Sequence, residues 1–338
     1  MSLEQYSDNL DSMAGVAFYG GILCRGFVNA HCHSELSYLR GAIAQGGGYS
    51  AFAAAMAQVR GNYTDTGRTE ALINADQAMW NEGIDAVADI VNDHSSFAVK
   101  SQSKICYRSF AEVFGLKKSN LSLCQELAQE HNCTLTPHST YSIQQRDMET
   151  LNYSHNSLIT IHFKESEQEE QLYAGYGPLA EWYRSVGFEC DFLGFGSPAE
   201  RIVATIPSHQ PLMLVHNCCV TQRDIDLIMG HFTAPVYWTL CPRSNRYISS
   251  AVPNVVELLR ANKLNICIGT DSLASNSSLS ILEELKCFES VPLAERLIWA
   301  TTNGAEALGV ANRGWVNIVG VDLERMQLTE KSLAKRIL

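Results

Sequence analysis

Short apolar runs recur along most of the chain, separated by stretches whose apolar residues fall at helical spacing. Ile84–Val91, Ile105–Phe110, Thr134–Pro137, Leu158–His162, Pro211–His216, Val236–Leu240 and Asn265–Gly269 are short and apolar on both faces, as strands buried on two sides read. Between them Ala71–Glu82, Leu121–Glu130, Asp147–Ser154, Glu165–Ala174, Pro178–Val186, Gln222–Met229, Val252–Ala261 and Ser280–Phe288 read as amphipathic helices, with Gly83 as the C-cap of the first. Such alternation predicts parallel βα units. With the strand that ends at His31 there are eight strands, which predicts a closed (β/α)8, or TIM, barrel. The rival is a doubly wound open sheet, but no glycine-rich phosphate turn supports it.

The ends break the pattern. Val16–Leu23 (VAFYGGIL) reads as an orphan edge strand, Trp315–Val321 is strand-like, and Thr329–Arg336 looks like a short helix. These segments predict a small β appendage formed by the termini, residues 1–23 and 312–338, on a barrel of residues 24–311. Within the barrel, Tyr38–Thr69 is rich in Gly and Ala, and Ser50 is a plausible N-cap for a helix Ala51–Arg60. This excursion over the end of the first strand either covers a substrate or packs as ordinary surface.

Composition narrows the class. Hydrophobic residues are 46 % and charged residues 18 %, which predicts a large core and argues against wholesale disorder. A formal net charge of -11 argues against a nucleic-acid-binding face and against a polyanionic substrate. The opening MSLEQYSDNLDSM lacks the parts of a secretory signal, and no apolar run approaches the roughly 20 residues needed to span a bilayer. A cytoplasmic protein without membrane contact is expected. The 11 cysteines form no CxxC pair; Cys24, Cys106, Cys133 and Cys267 read as reduced and buried, and Cys218–Cys219 as the most exposed pair.

The candidate chemistry sits at strand ends. In FVNAHCHSELS (Phe27–Ser37), strand alternation puts His31 and His33 on one face and Cys32 on the other. Such a pair can grip one metal ion, or be two hydrogen-bonded histidines of a partly buried strand. His162, in TIHFKES, and Asp271, in GTDSLASN, end two further strands. The carboxyl ends of barrel strands converge. Three imidazoles and a carboxylate suit one divalent ion, zinc or iron, with a position left for water. Taken singly, His162 could cap the next helix and Asp271 could close an Asx turn. Glu165 could shuttle a proton or merely stabilise a first helical turn. His216 could steady an attacking water or support the site from behind, and Asp271 could also accept the water's proton. His138, in TPHSTYS, faces the same mouth.

Taken together, FVNAHCH, TPHSTYS, IHFKES, LVHN, LCPRSN and GTDSLASN, in this order, resemble the amidohydrolase superfamily. They look most like its branch of cytosine, guanine and adenosine-type deaminases and triazine chlorohydrolases, over residues 20–338. The resemblance implies a mononuclear metal on His31, His33, His162 and Asp271, with Glu165 as proton shuttle and His216 as the water-orienting histidine. It implies substrate contacts from His138 and from Arg243 and Asn245 of the seventh-strand loop, with Ser272 and Ser275 shaping a turn. The fourth strand ends without a lysine, which fits one metal and not two. CHSELS, Phe110–Gly115 with its Glu112, and TPHSTYS are most similar to aminodeoxyfutalosine deaminases, which remove the 6-amino group from an adenine-bearing intermediate. A carboxylate on such a substrate would call for an arginine, with Arg40, Arg108, Arg146 and Arg243 as candidates. The resemblance therefore implies hydrolytic deamination of a purine nucleoside-like substrate such as 6-amino-6-deoxyfutalosine by metal-activated water, with a homodimer allowed. Hydrolysis of another C–N or C–Cl bond in a guanine, cytosine or triazine ring is the alternative, and a non-catalytic binding barrel the next. The chain departs from the pattern at Arg25, where relatives carry Pro, and at Ser34, where they carry Leu. Relatives also begin with several strands of a β-sandwich, whereas about one strand's worth of chain precedes Phe27. The appendage is thus expected to be rudimentary, or the chain to begin late.

Overall fold

The computed structural model describes residues 19–151, 153, 157–249, 255–311 and 313–337. The first residues of the expected Val16–Leu23 strand, the end of Asp147–Ser154 and the start of Val252–Ala261 lie outside the described residues. A first strand, β1 (Ile22–Arg25), precedes the barrel. β2 (Phe27–Cys32), β3 (Ile84–Val91), β4 (Cys106–Val113) and β5 (Thr134–Pro137) then pair in parallel in that order. β6 (Ile159–Phe163), β7 (Leu212–His216), β8 (Val236–Leu240) and β9 (Asn265–Ile268) do the same.

Two seams close these sheets into the expected TIM barrel. At one, Ser139 bridges His162, and the His162 N–H donates to the His138 carbonyl at 2.8 Å. At the other, Cys32 bridges Asp271, and the N–H groups of Thr270 and Asp271 donate to the His31 carbonyl at 3.0 and 3.1 Å. Gly269 permits the second seam, because a Cβ there would lie only 2.8 Å from His31 Cβ.

The strands are apolar on both faces because each face meets a different layer. Val87, Ile161, Leu214, Trp238 and Ile268 face outward onto helix residues Met79, Leu127, Ile228 and Leu285. Val28, Ala86, Ala88, Met213 and Val215 belong to a second cluster that fills the barrel, with Ala305 and Leu308 of the helix Thr302–Leu308 packed against them. The helix Asp65–Glu82 starts earlier than its apolar periodicity suggests, because Thr64 Oγ1 accepts the Gly67 N–H. It ends as expected, at Gly83 with φ 96°. The covering helix is Tyr49–Val59; Gly48, at φ 80°, precedes it, and Ser50 lies inside it and does not cap it.

The appendage is a three-stranded antiparallel sheet in the order β1, β10 (Trp315–Val319), β11 (Leu333–Arg336). The expected helix Thr329–Arg336 is corrected: β11 pairs with β10, and its residues alternate between exposed and half-buried. Arg336 fixes this strand by an ion pair with Asp85 at 2.6 Å and by lying 3.5 Å over the Trp80 ring. Cysteine expectations are also corrected: Cys24 is only half-buried. Cys106 is exposed, and Cys218 is buried, with Cys219 only partly accessible. No described helix is long and apolar enough to cross a membrane.

Candidate active site

A register shift between Asn29 and Cys32 lets β2 turn both imidazoles into the mouth. Cys32 joins the outward-facing layer, while the rings of His31 and His33 lie 4.9 Å apart. His162, at the end of β6, completes a group whose ring nitrogens lie within 4.8 Å of one another. His33 Nε2 is 3.3 Å from His162 Nε2. The tautomers follow from the partners. His162 Nδ1 is 2.8 Å from the His138 carbonyl, which can only accept, so the proton sits on Nδ1 and the Nε2 lone pair is free. By the same argument His216 Nδ1 donates to Asn245 Oδ1 at 2.8 Å. That leaves His216 Nε2, like His31 Nε2, buried and without a hydrogen-bond partner. Burial holds all of these imidazoles below the usual histidine range, His33 at about 3, so they are neutral ligand-type rings at pH 7.

Asp271 supplies the oxygen. Its Oδ2 accepts from the hydroxyls of Ser244 and Ser275, both at 2.6 Å. Its Oδ1 is left 3.6 Å from His33 Nε2 and 3.8 Å from His31 Nε2. Burial alone would push this carboxyl up, but His33, His216 and the two hydroxyls hold it below the usual range. Three inward neutral nitrogens and one carboxylate oxygen around a point that no side chain fills match the donor set of one divalent ion. The backbone around this point is locally strained. Lys164, His216, Asn217 and Asp271 are all left-handed, at φ 51°, 77°, 56° and 59°. Such strain in non-glycine residues collects where side-chain aim matters more than backbone comfort.

Glu165 follows β6, two residues before the helix Glu167–Tyr173. Its Oε1 is 3.8 Å from His216 Nε2, and Oε2 accepts from the Tyr141 hydroxyl at 3.1 Å. Tyr141 and Tyr49 hydroxyls are 2.5 Å apart, so a hydrogen-bond chain runs from the covering helix to this carboxyl. Burial raises Glu165 to about 7, against the opposing pull of His162.

These groups border a cavity of about 300 Å³. His33, His162, Glu165 and Asp271 form one end; Phe52, Met56, Phe114, Leu116, Trp182 and Phe188 form apolar walls. Glu112 and His138 line it too. The His138 ring stacks on His162 at 4.5 Å, and Glu112 Oε1 lies 3.5 Å from His162 Nδ1, its own pKa raised to about 8 by burial. Asn245 stands behind His216 and does not line this cavity. Arg243 is turned away, onto Asn276, Ser277 and Glu283. Of the other arginines, Arg40 is exposed, Arg146 pairs with Asp147, and Arg108 donates to the Leu308 carbonyl. The arginine that does line the cavity is Arg60, 3.0 Å from buried Glu35.

Sequence reasoning missed Arg60, Glu35, Asn92, Tyr49, Tyr141 and Ser244. Glu35 also accepts the Asn92 N–H at 3.0 Å, and the Asn92 side chain reaches Glu112 at 3.4 Å. An acidic residue in the otherwise uncharged ELSYL run beside the histidine pair was a readable signal. Ser244 lay between the two residues chosen from PRSN, and it alone of the three touches Asp271.

The chain resembles known proteins in sequence and in fold. The chain is 27 % identical over 319 residues to an adenosine deaminase of Helicobacter pylori, covering 87 % of this chain and 76 % of that one. It is 28 % identical over 241 residues to an aminodeoxyfutalosine deaminase of Nitratiruptor sp., covering 67 % of this chain and 54 % of that one. In fold it matches the crystal structure of Helicobacter pylori aminofutalosine deaminase in complex with methylthio-coformycin, with TM-score 0.81, 22 % identity, and 98 % and 91 % of the two chains covered. An adenosine deaminase of Xanthomonas campestris with bound zinc matches at TM-score 0.68 and 19 % identity, over 92 % of this chain and 74 % of that one. The model of the amidohydrolase family matches residues 22–316, and the chain belongs to that family.

Proposed function

We propose that the protein is a metal-dependent aminohydrolase that replaces the ring amine of an adenine nucleoside-like substrate by oxygen, releasing ammonia. The observation that carries this reading is the meeting of His31, His33, His162 and Asp271 beside a carboxyl, Glu165, whose pKa burial brings to about 7. The four would hold one divalent ion, zinc in preference to iron given the zinc-bound relative. Such an ion lowers the pKa of water enough to supply a nucleophile at neutral pH.

The chain's own groups do the rest. Asp271 takes one proton of the attacking water, and the bare Nε2 of His216 orients that water by accepting from its other O–H. Glu165, equally ready to hold or release a proton near neutrality, protonates a ring nitrogen as the carbon becomes tetrahedral. Asp271 passes its proton to the amine, which leaves as ammonia, and the remaining hydroxyl proton returns to Glu165 as the ring carbonyl forms, so one water is consumed and both carboxyls end as they began. The aromatic walls suit a planar base, and Glu112, Asn92 and Arg60 supply polar contacts farther along the cavity. The relatives' names support an adenine-bearing substrate, 6-amino-6-deoxyfutalosine among them.

The test is ammonia release from adenosine, 5′-methylthioadenosine, S-adenosylhomocysteine and 6-amino-6-deoxyfutalosine by the zinc-loaded protein. Release from at least one is expected. Release from none, with chloride freed from a chlorotriazine or ammonia from cytosine or guanine, would replace this reading.

A further inference from the structure

We propose a second metal site on the outside of the barrel, formed by His94, Glu130 and His131 for a zinc-type divalent cation. His94 lies in the loop after β3; Glu130 and His131 end the helix Leu121–His131. His94 Nδ1 is 3.1 Å from His131 Nε2 and 3.6 Å from Glu130 Oε2, and the last two atoms are 3.9 Å apart. Tetrahedral zinc with bonds of about 2.0–2.2 Å separates its ligand atoms by about 3.3–3.6 Å. The observed separations straddle that range, so shifts of a few tenths of an ångström bring the three atoms onto one face of such a tetrahedron, with solvent open to the fourth position.

Two features prepare the donors. Glu126 Oε1 lies 3.5 Å from the other nitrogen of His94, Nε2. A carboxylate there favours the tautomer that keeps the proton on Nε2, facing it, and leaves the lone pair on Nδ1, as acidic partners do for metal-bound histidines. The His131 ring lies flat on Phe97, with centroids 3.7 Å apart and planes 7° off parallel. That stacking fixes the direction of its Nε2. Without an ion, two ring nitrogens at 3.1 Å must share one proton between them. With an ion, both present lone pairs to it. The side chains are 28 to 54 % exposed, so an ion can enter without a path being opened. Bound there, it ties the loop that carries Asn92 to the end of the neighbouring helix.

The site is independent of the barrel mouth, and its test separates the two. Full-length protein is stripped with a chelator, dialysed, and titrated with zinc by calorimetry; bound zinc is counted by elemental analysis. The wild type is expected to bind two equivalents, the weaker of which disappears in His94→Ala and in His131→Ala and weakens several-fold in Glu126→Gln. His33→Ala is expected to lose the other equivalent and keep this one. With cobalt, the His33→Ala protein is expected to show the intense visible absorption of tetrahedral coordination, which His94→Ala removes. If His94→Ala and His131→Ala bind as much zinc as the wild type, the outer site is overturned. If a single wild-type equivalent is lost in His33→Ala alone, it is overturned too. One equivalent lost in His94→Ala but kept in His33→Ala would support the outer site and refute the inner one.

Discussion

The hydroxyl of Tyr141 donates to Glu165 Oε2 at 3.1 Å, which leaves Oε1 as the oxygen turned toward His216. A hydroxyl has one proton, so when Tyr141 donates to Glu165 it accepts from Tyr49. Tyr141→Phe should lower kcat about tenfold, or about 1.4 kcal/mol in the barrier, with KM and metal content unchanged. Tyr49→Phe should cost less, and nothing further in the Tyr141→Phe background, since it acts through Tyr141. Additive losses in the double variant would show that the two hydroxyls do not form one chain.

Glu165→Gln keeps the size of the side chain and removes its proton transfer. Turnover should fall by about 10²–10⁴-fold while the metal stays bound, read from elemental analysis beside the ammonia assay. Activity within a fewfold of the wild type would reject the shuttle.

Asp89 is fully buried, accepts from the Ser34 N–H at 2.8 Å and its hydroxyl at 2.7 Å, and is ion-paired with Lys100. It thereby holds the residue that follows His33. Asp89→Ala should cost about 3–5 kcal/mol in urea unfolding, because Lys100 is left charged and unpaired, and should weaken metal binding. A cost under about 1 kcal/mol would mean that the pair carries no structural weight.

Glu169 is buried, one oxygen bonded to Thr140 and the other without a partner, and burial raises its pKa to about 8. The folded form therefore binds a proton that the unfolded chain releases near pH 4.5. Its favourable contribution is complete below that pH and is lost as pH rises through about 8. Glu169→Gln should accordingly gain Tm relative to the wild type between pH 5 and pH 8.5. An unchanged difference across that range would refute the raised pKa.

The strands were legible because burial on both sides leaves an apolar run that no loop imitates; Ile84–Val91, Thr134–Pro137 and Val236–Leu240 match residue for residue. β11 was not, because Leu333–Arg336 has no strand signal of its own and extends only by pairing with β10. The histidines of the site could be found since strand ends converge by geometry. Arg243 could not be placed, because the helix Pro242–Ser249 turns Ser244 inward and Arg243 toward Glu283 and Glu284. Tyr49 and Arg60 come from a covering segment whose position depends on contacts far along the chain, such as Gly46 N–H to the Tyr247 carbonyl.

The two barrel seams divide the donors evenly: His31 and His33 come from the first four-stranded sheet, and His162 and Asp271 from the end of β6 and the loop after β9. Neither half of the chain carries more than two of these four donors. With the proposed ion at the mouth, tight binding there reports that the two halves have joined, independently of the outer site. Two co-expressed fragments divided between β5 and β6 would make that dependence visible, since each would need the other before it could retain the ion.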